Sequence, residues 1–524
     1  MPAWFGDTRR TVGGEFATVG PVTFSGARVS RACGAGALAL GVAVAPSCGR
    51  PEPPPPPATV APAPATTSAQ PEPDIAPEAF PAVSRLVDDA IAAPRMPGAV
   101  IQIGHGGTVV FRRAFGARRL ATEPGLDGAL SPAEPMTADT IFDLASLTKI
   151  LATTTAVLQL YERGLVGIDD PLQDYLPEFN PDGDPKRARV TLRMLLTHTS
   201  GLGGDLSRQG PWGLVAADKA DGIQRALATP LEFGPGEVFH YSDIGFILLG
   251  SMVERLTGET LDVYAQQEIF EPLGMGDTRY LPAAKACGPH QTIGNAIAVS
   301  PAETPNGTCP DGTWSTALLA RVAPTARDED TPGINPDFDR LLRGTVHDPT
   351  ARRMGGVAGS AGVFSTASDV GRYAQSLLDR LAGRPSSFPL RQATLELMTT
   401  PQQPGHHPGQ VQAAENASRA AIAASPNLDN PLLAPHYPAI PGQFLRGFGW
   451  DIDTYQSTPR GMIFPVGSFG HTGFTGVTIW IDPGSDSYVV VLGNVIHQRG
   501  GPPIATLSGE VATTAARALH LYGS

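Results

Sequence analysis

The sequence predicts a mixed α/β (α+β) protein, because a hairpin, buried helices and an antiparallel meander follow one another along the chain. Two runs rich in β-branched residues, 98–104 and 108–113, are joined by His105-Gly106-Gly107, a pattern typical of a β-hairpin. Residues 150–164 are apolar on nearly every face, which predicts a buried helix. Four further strand-like runs, separated by turns, lie at 448–453, 468–473, 476–481 and 488–492.

Other helices are predicted from helical spacing of apolar residues and from capping residues. They are expected at 78–93, within 191–199 with an end at Gly201, after a cap at Ser242 or Asp243, after a cap at Ser368 or Asp369, and at about 504–521.

Composition sets broad limits on function. The chain has 524 residues, of which 41% are hydrophobic and 17% charged, so a sizeable core is expected. Its formal net charge of −12 would repel phosphate, and no run of Lys and Arg stands out. We therefore expect no nucleic-acid partner.

Residues 1–48 resemble an export signal. Arg28 and Arg31 precede a small and apolar run, 32–46, which is shorter than the roughly 20 residues of a membrane span but long enough for a signal-peptide core. The segment before this run is longer than the basic region of a signal peptide, so translation is expected to start later, at about Val29. The run ends at Cys48 in a sequence similar to a lipoprotein cleavage site, which makes Cys48 a candidate for lipidation.

Residues 49–77 predict a disordered linker. They are rich in Pro, Ala and Thr and include five consecutive prolines at 53–57, which favour extended polyproline structure and cannot form a core. Such a segment would tether the folded domain, predicted at 78–524, to a membrane through its N-terminus. The expected location is the bacterial cell envelope, either periplasmic or anchored as a lipoprotein.

Two cysteines lie in the predicted folded part. Cys287 and Cys309 bracket a polar stretch without helical period, within a loop insertion expected at about 283–320. A disulfide between them would stabilise the protein by roughly 3 kcal/mol in an oxidising compartment. In the cytosol they would be free thiols.

Ser146 and Lys149 form the first candidate catalytic pair. Residues three apart lie on one helical face, so the lysine amine can reach the serine hydroxyl and act as its base if its pKa is lowered. The alternative is an N-cap serine followed by a solvated lysine. The apolar sequence directly after Lys149 favours a buried lysine with a partner or a catalytic role.

Two later stretches add polar groups that could share the same cleft. Tyr241 and Asp243 lie where a loop meets a helix, and they could relay a proton or serve as a buried tyrosine and a helix cap. His471-Thr472-Gly473 occurs in one of the C-terminal strands.

Several other residues are interpreted as structural. Ser360 lacks the flanking glycine pattern of an esterase nucleophile, and the glycine-rich sequence around it lacks a phosphate-binding pattern. His105 is expected in a turn. His406 and His407 have no third ligand at suitable spacing, so no metal site is predicted.

Together, the ordered stretches resemble the serine β-lactamase and penicillin-binding-protein superfamily. The resemblance covers roughly residues 78–520 and is greatest to the class C β-lactamase-related branch, which includes D-alanyl-D-alanine carboxypeptidases and esterases. It rests on FDLASLTK, LLTHTSGL, YSDIGFILLG, VHDP, GGVAGSAGVFSTASD and FGHTGFTG.

The resemblance implies a mechanism and a fold. Ser146 would attack an acyl carbonyl, Lys149 would take its proton, and Tyr241 would assist at the leaving group. The amides of Ser146 and Phe474 would form the oxyanion hole, and water would release the acyl group. The implied fold is an antiparallel sheet built from both chain ends, with flanking helices and an inserted all-helical lobe; no cofactor is expected.

The chain departs from the family pattern at two positions. Asp243 stands where asparagine is common, which adds a negative charge near Lys149 and Tyr241. His471 replaces the lysine of Lys-Thr-Gly and is positively charged only below its pKa, ~6.5 when unperturbed. Together with Thr472 and Gly473 it would therefore hold a substrate carboxylate weakly at neutral pH.

The leading hypothesis is an exported serine hydrolase that acts on an ester, a D-alanyl peptide or a β-lactam, as a small molecule or a cell-wall peptide. The alternative is a non-catalytic module that binds cell-wall peptides or acts as a scaffold. A binding module would not need Ser146, Lys149 and Tyr241 together, which favours the enzyme.

Overall fold

A computed structural model describes residues 74–75, 77–298, 309–424, 429–497 and 504–524. These residues belong to one compact unit, Ser68–Ser524. The predicted export signal at 1–48, the candidate lipidation site Cys48 and most of the predicted linker at 49–77 lie outside the described residues.

The described residues form fifteen strands and eleven α-helices. The strands are β1 Gly98–His105, β2 Thr108–Arg119, β3 Glu134–Pro135, β4 Phe142–Asp143, β5 Arg279–Tyr280, β6 Ala286–Cys287, β7 Gln291–Ile293, β8 Ala296–Ala298, β9 Trp314–Ser315, β10 Val363–Ser365, β11 Leu445–Arg446, β12 Asp451–Asp453, β13 Phe469–Gly473, β14 Val477–Asp482 and β15 Ser487–Gly493. The helices are α1 Pro81–Ala92, α2 Thr155–Glu162, α3 Leu192–Leu196, α4 Lys219–Ala228, α5 Asp243–Thr257, α6 Leu261–Ala265, α7 Pro349–Arg353, α8 Ala367–Leu381, α9 Gln392–Thr399, α10 Gln410–Ala424 and α11 Ile504–Ala518. Among these helices, none has both the length and the apolar composition needed to cross a bilayer.

The main sheet is built from both ends of the chain. Its eight strands run in the order β11-β12-β13-β14-β15-β1-β2-β3, and neighbouring strands are antiparallel. β1 pairs with β2 in the predicted hairpin and with β15 from Ala99↔Gly493 to His105↔Ser487. The hairpin, the C-terminal meander and the mixed α/β class are confirmed.

The central strand β1 is apolar on both faces because both faces are covered. Successive side chains of a strand point to opposite sides. Ala99, Ile101 and Ile103 therefore pack in a cluster that includes buried residues of α1 and α11. Val100 points the other way, into the large core that also holds the residues around the Ser146 turn.

Three predicted boundaries need correction. Ile75 pairs with Arg112 through backbone hydrogen bonds of 2.7 and 2.6 Å, so ordered structure starts before the predicted residue 78. The cap of α8 is Thr366, whose hydroxyl accepts from the Asp369 amide, rather than Ser368 or Asp369. α3 ends at Leu196, before Gly201, because His198 has a φ of 58°, a left-handed conformation that does not continue a helix.

The inserted lobe between the two halves of the main sheet is mostly helical but not all-helical as expected. It contains a three-stranded sheet, β4-β10-β5. In this sheet β4, the strand before Ser146, pairs with β10, the strand before α8. Each of these strands has two or three residues, too few to show a strand period in the sequence.

The predicted insertion at 283–320 contains two further strand pairs, β6 with β9 and β7 with β8. Cys287 and Cys309 are joined in a disulfide with a Cα–Cα separation of 5.8 Å. The structure thus brings the two candidate cysteines together.

Candidate active site

Ser146 lies in a tight turn that follows β4. It is part of the 3-10 helix Ala145–Leu147, and Ala145 has a φ of 44°, a left-handed conformation that is unfavourable for alanine. The buried Asp143 carboxylate supports the turn by accepting from the amides of Ala145 at 2.9 Å and His347 at 2.7 Å. Burial raises the pKa of Asp143 to about 6.

Lys149 lies directly behind Ser146, at the start of a π-helical segment, Lys149–Thr154, that continues into α2. Its side chain is fully buried. The ammonium donates to Ser146 Oγ at 3.0 Å and to the Ser360 carbonyl oxygen at 2.9 Å, and it forms an ion pair with Asp243. Ser360, interpreted from the sequence as a packing residue, thus also holds the lysine through its backbone.

The charge state of Lys149 differs from the sequence-based expectation. Burial by itself would lower the pKa of Lys149, but the Asp243 carboxylate and the Tyr241 phenol outweigh that effect and raise it above its usual value. Lys149 therefore carries a proton in the free protein. The condition set for a lysine base, a lowered pKa, is therefore not met in this state, because the Asp243 carboxylate forms an ion pair with Lys149.

Asp243 is the first residue of α5 and points toward Lys149. The helix cap is Ser242, whose hydroxyl accepts from the Gly245 amide at 3.2 Å. Ser242 thereby caps the start of the helix, so the Asp243 carboxylate is not needed as a cap and pairs with Lys149. Of the two roles considered for Asp243, the structure supports the one near Lys149.

Tyr241 completes a compact group with Ser146 and Lys149. The Lys149 ammonium, which donates to the Ser146 hydroxyl, lies 5.1 Å from the centroid of the Tyr241 ring. Burial and the nearby Asp243 raise the pKa of Tyr241, although Lys149 opposes this. The imidazole of His198 stacks against the phenol ring.

His471 does not provide the positive charge considered from the sequence. It is buried in β13, and its Nδ1 lies 2.7 Å from the Thr472 carbonyl oxygen. Burial, together with Arg446 and Lys149, holds the pKa of His471 well below 6.5, so the ring is neutral at physiological pH. The sequence could not show that the histidine faces inward toward other cations.

Thr472, Gly473 and Phe474 bring the edge of β13 to the Ser146 turn. A Cβ atom on Gly473 would lie 2.6 Å from the Leu144 carbonyl oxygen, so glycine is needed for this close approach. Phe474, next in the chain, is 73% exposed and stacks on His347 with ring centroids 5.7 Å apart.

Ser146 and Tyr241 face a cleft of about 640 Å³. The described lining of this cleft also includes Thr472 and Phe474. It carries six acidic side chains and two arginines. The acidic residues are Asp205, Asp243, Asp328, Glu329, Asp330 and Asp348. Within the described residues, no three His, Cys, Asp or Glu side chains converge as a metal site, and His406 and His407 lie on an exposed stretch.

Four residues near the cleft were not singled out from the sequence as parts of a site: Asp143, His198, Asp205 and Arg446. His198 lies in the LLTHTSGL stretch and Asp143 in FDLASLTK, so both were adjacent to recognised patterns. Arg446 is fully buried, and its charge helps to keep His198 and His471 neutral. Asp205 and Arg446 lie outside any recognised stretch, and only the fold brings Asp205 to the cleft and Arg446 near His198 and His471.

The comparisons with known proteins agree on one family. The sequence model of the Beta-lactamase family matches residues 83–507. The chain is 29% identical over 407 residues to the "Putative D-alanyl-D-alanine carboxypeptidase" of Escherichia coli (strain K12), covering 75% of this chain and 77% of that protein. It is also 29% identical over 427 residues to the N-acetylmuramyl-L-alanine amidase of Bacillus subtilis (strain 168), covering 79% and 80%.

Solved structures show the same fold. Simvastatin synthase from Aspergillus terreus aligns with a TM-score of 0.56 at 24% identity, covering 86% of this chain and 100% of that one.

Proposed function

The chain belongs to the Beta-lactamase family, and from that premise we propose that it is a serine hydrolase that forms an acyl-enzyme on Ser146. The observation that carries the proposal is the 3.0 Å hydrogen bond from Lys149 Nζ to Ser146 Oγ, with the centroid of the Tyr241 ring 5.1 Å from the same ammonium. A nucleophile, a proton acceptor and a leaving-group acid are therefore within reach of one another at the base of the cleft.

The proposed reaction has two steps. Ser146 Oγ forms a bond to the acyl carbonyl carbon while its proton passes to the Lys149–Tyr241 pair, and the amides of Ser146 and Phe474 stabilise the oxyanion. The bond from the carbonyl carbon to the leaving group then breaks, and Tyr241 returns the proton to that group. Water attacks the acyl-enzyme in the same way and releases the acid.

Lys149 has two possible contributions to proton transfer. Since its raised pKa keeps it protonated, it must either pass a proton to Asp243 before acting as a base or stabilise a Tyr241 phenolate that acts as the base. In both routes the Ser146 proton moves to a neighbouring side chain. An Asp243 variant distinguishes them.

The charge of the cleft favours substrates without a carboxylate, such as simple esters. Penicillins and peptides that end in D-alanine both carry a carboxylate, but His471 is neutral where the family commonly has a lysine, and the charged side chains of the described lining are mainly acidic. The names of the two curated relatives, which refer to D-alanyl-D-alanine and to N-acetylmuramyl-L-alanine, keep peptide and amide bonds among the candidates. We therefore infer that an ester without a carboxylate is cleaved more efficiently than a β-lactam ring.

Labelling of the nucleophile tests the proposal. A fluorescent penicillin and a fluorophosphonate probe are incubated with wild type, Ser146→Ala and, as a matched control, Ser207→Ala, which lies outside the described lining of the cleft. We expect labelling of wild type and Ser207→Ala but not of Ser146→Ala by at least one probe. Absence of Ser146-dependent labelling by either probe would instead favour the non-catalytic binding module.

A substrate panel then compares the rates at which the different bonds are cleaved. Turnover of a nitrophenyl ester, a D-alanyl-D-alanine peptide and a chromogenic cephalosporin should be highest for the ester. Loss of Ser146 should lower turnover of the preferred substrate by roughly 10³-fold or more. A cephalosporin rate above both others would contradict the proposed substrate class.

We also propose export through residues 1–48, with Cys48 as the lipidated N-terminus and the membrane tether of the mature protein. The sequence pattern and the presence of the Cys287–Cys309 disulfide support an oxidising compartment. The intact mass of the membrane-extracted protein measures this directly. A mature terminus upstream of Ala32 would contradict both export and lipidation.

A further inference from the structure

Two loops that are far apart in the sequence line the cleft together, the 205–212 loop and the 328–331 loop. Six residues of the described lining come from them: Asp205, Leu206 and Arg208 from the first, and Asp328, Glu329 and Asp330 from the second. Helix α7, which follows the lining residues His347 and Asp348, ends at Arg353. The side chain of Arg353 joins the two loops to each other.

One edge of the Arg353 guanidinium holds the 328–331 loop. Its side chain is 1% exposed, and Nε and Nη2 donate to the two carboxylate oxygens of Asp330 at 2.8 and 2.9 Å. Nη2 also donates to Thr331 Oγ1 at 2.8 Å. A planar guanidinium that binds both oxygens of a carboxylate fixes the direction of the contact as well as its distance.

The remaining nitrogen of the same guanidinium holds the 205–212 loop. Nη1 donates to the carbonyl oxygens of Arg208, Gly210 and Trp212 at 3.2, 3.3 and 3.3 Å. Cζ of Arg353 lies 5.2 Å from the centroid of the Trp212 ring. Because these contacts are made to backbone oxygens, they fix the path of the loop itself.

The backbone of Arg353 keeps the chain after this loop close to α7. The Arg353 carbonyl oxygen accepts from the Asp218 amide at 2.8 Å. Gly213 has a φ of 66°, and a Cβ atom there would lie 2.7 Å from the Arg353 Cβ. The chain thus follows the surface of α7 on both sides of the three carbonyl contacts.

The neighbouring Arg352 provides a contrast. Its Nη2 donates to Asp328 Oδ1 at 2.6 Å, and its Nη1 donates to the carbonyl oxygens of Val346 and His347. Within the described residues, these hydrogen bonds join the 328–331 loop to α7 but do not reach the 205–212 loop. Arg353 therefore has the contacts that set the position of one loop relative to the other.

We propose that Arg353 is a positioning residue for substrate specificity: by holding the 205–212 and 328–331 loops together, it sets the width of the cleft for the part of the substrate beyond the reacting bond. The inference rests on the proposed function, because the substrate concerned is the one that acylates Ser146. Within the described residues, Arg353 contacts none of Ser146, Lys149 and Tyr241, so it acts through the loops.

The Asp330–Arg353 pair determines which substitutions are informative. Burial alone would raise the pKa of Asp330, but hydrogen bonds from Arg353 and Thr331 outweigh this and lower it, so the carboxylate is ionised. Removal of the arginine alone would leave a buried negative charge without its partner and would destabilise the fold. The charge must therefore be kept, or both charges must be removed.

Two variants meet this condition. Arg353→Lys keeps the charge beside Asp330 but loses the planar group that reaches three carbonyl oxygens. Asp330→Leu/Arg353→Met removes both charges and the carbonyl contacts. Tm of each variant is measured first, so that every assay is run at a temperature at which the variant is folded.

Arg187→Lys serves as the matched control. Arg187 also donates to three carbonyl oxygens, those of Phe179, Leu227 and Thr229, and its Cζ lies 3.9 Å from the centroid of the Phe179 ring. It lies outside the described lining of the cleft. The control thus loses the same kind of contact at a different place.

Esters of different size test the effect on substrate binding. Nitrophenyl acetate is the small substrate, nitrophenyl octanoate extends the acyl group, and methylumbelliferyl acetate extends the leaving group. In both Arg353 variants, KM for at least one of the two larger esters should rise by about fivefold more than KM for nitrophenyl acetate, while kcat changes by less than about twofold. The ester whose KM rises identifies the side of the bond that the loops contact.

The control should show no such difference between esters. Equal changes in KM for all three esters in the Arg353 variants, or a fall in kcat without a change in KM, would overturn the proposal. The same selective rise in KM in Arg187→Lys would also overturn it, because the effect would then follow from a general loss of stability.

Amide hydrogen exchange gives a readout that does not depend on activity. Exchange in the 205–212 loop should be faster in Arg353→Lys than in wild type, and exchange in both loops should be faster in the double variant. Arg187→Lys should leave both loops unchanged. Unchanged exchange of the 205–212 loop in both Arg353 variants would show that Arg353 does not hold it, and the proposal would fail.

The experiments also separate this inference from the proposed function. If Ser146→Ala retains wild-type turnover, the proposed function fails, and the role of Arg353 in binding its substrate fails with it, whatever the exchange rates are. If turnover depends on Ser146 but KM changes equally for all three esters, the role of Arg353 is overturned while the proposed function stands.

Discussion

The imidazole of His198 stacks on the phenol ring of Tyr241, with ring centroids 4.2 Å apart and planes 26° from parallel. His198 Nδ1 accepts from the Ser242 amide at 3.0 Å, which fixes the imidazole tautomer with the proton on Nε2. Burial, with help from Arg446 and Lys149, lowers the pKa of His198 well below 6.5. The ring thus orients Tyr241 without adding a charge.

We expect His198→Ala to lower kcat by about tenfold, because a small displacement of Tyr241 is enough to slow proton transfer. KM should change little. His198 has a φ of 58°, which asparagine tolerates better than most residues, so His198→Asn keeps the backbone but loses the stacking ring. Steady-state kinetics and Tm of both variants check this, and a full rate in His198→Asn would show that the ring does not position Tyr241.

Replacement of Asp243 distinguishes the two roles of Lys149. Asp243→Asn removes the carboxylate that raises the pKa of Lys149, so the acid limb of kcat/KM should move to lower pH by about one unit if Lys149 is the base. Tm should also fall, because a buried ammonium loses its counter-charge.

The pH profile of kcat/KM checks the Asp243 prediction, with Asp182→Asn as the matched control because Asp182 is exposed and lies outside the described lining of the cleft. A lower rate with an unshifted acid limb would mean that the lysine acts as a cation beside a tyrosine base.

Local patterns predicted much of the fold and the centre of the site, and long-range packing explains the rest. Ser146 and Lys149 are three residues apart, so their proximity follows from helix geometry. Asp205 lines the same cleft as Asp243 because its loop packs on the start of α5. Lys149 keeps its proton because Asp243 and Tyr241 lie beside it. Neither arrangement can be inferred from a hydrophobic periodicity or from the spacing of residues in the sequence.

Wild-type selectivity should not depend on protonation of His471. Because its pKa lies well below 6.5, lowering the pH from 7.5 to 6 adds no positive charge at this position. The ratio of kcat/KM for a substrate with a carboxylate to that for its methyl ester should therefore stay constant over this range. A ratio that rises severalfold toward pH 6 would show that the histidine becomes charged and binds the carboxylate.

The disulfide should stabilise the protein without affecting catalysis. Cys287 and Cys309 are separated by 22 positions and lie outside the described lining of the cleft. A loop of this length corresponds to about 3 kcal/mol. The Cys287→Ser/Cys309→Ser variant should unfold a few degrees lower with unchanged kcat, and reductant should lower Tm of wild type but not of the variant. Equal Tm values for the oxidised wild type and the variant would contradict this.

A side chain at position 473 should separate β13 from the nucleophile turn. In Gly473→Ala, the new Cβ would lie 2.4 Å from Val477 Cγ2 and 2.6 Å from the Leu144 carbonyl oxygen, and the latter belongs to backbone that cannot rotate away. The strand must shift, which moves the Phe474 amide relative to Ser146.

We expect kcat of Gly473→Ala to fall by roughly 10²-fold, because that amide is proposed to stabilise the oxyanion. Gly276→Ala is the matched control, since a Cβ there meets nothing within 4 Å. Kinetics and fluorophosphonate labelling rates measure the effect. Wild-type rates in Gly473→Ala would mean that the Phe474 amide takes no part in the reaction, because the strand cannot accept the methyl group without moving.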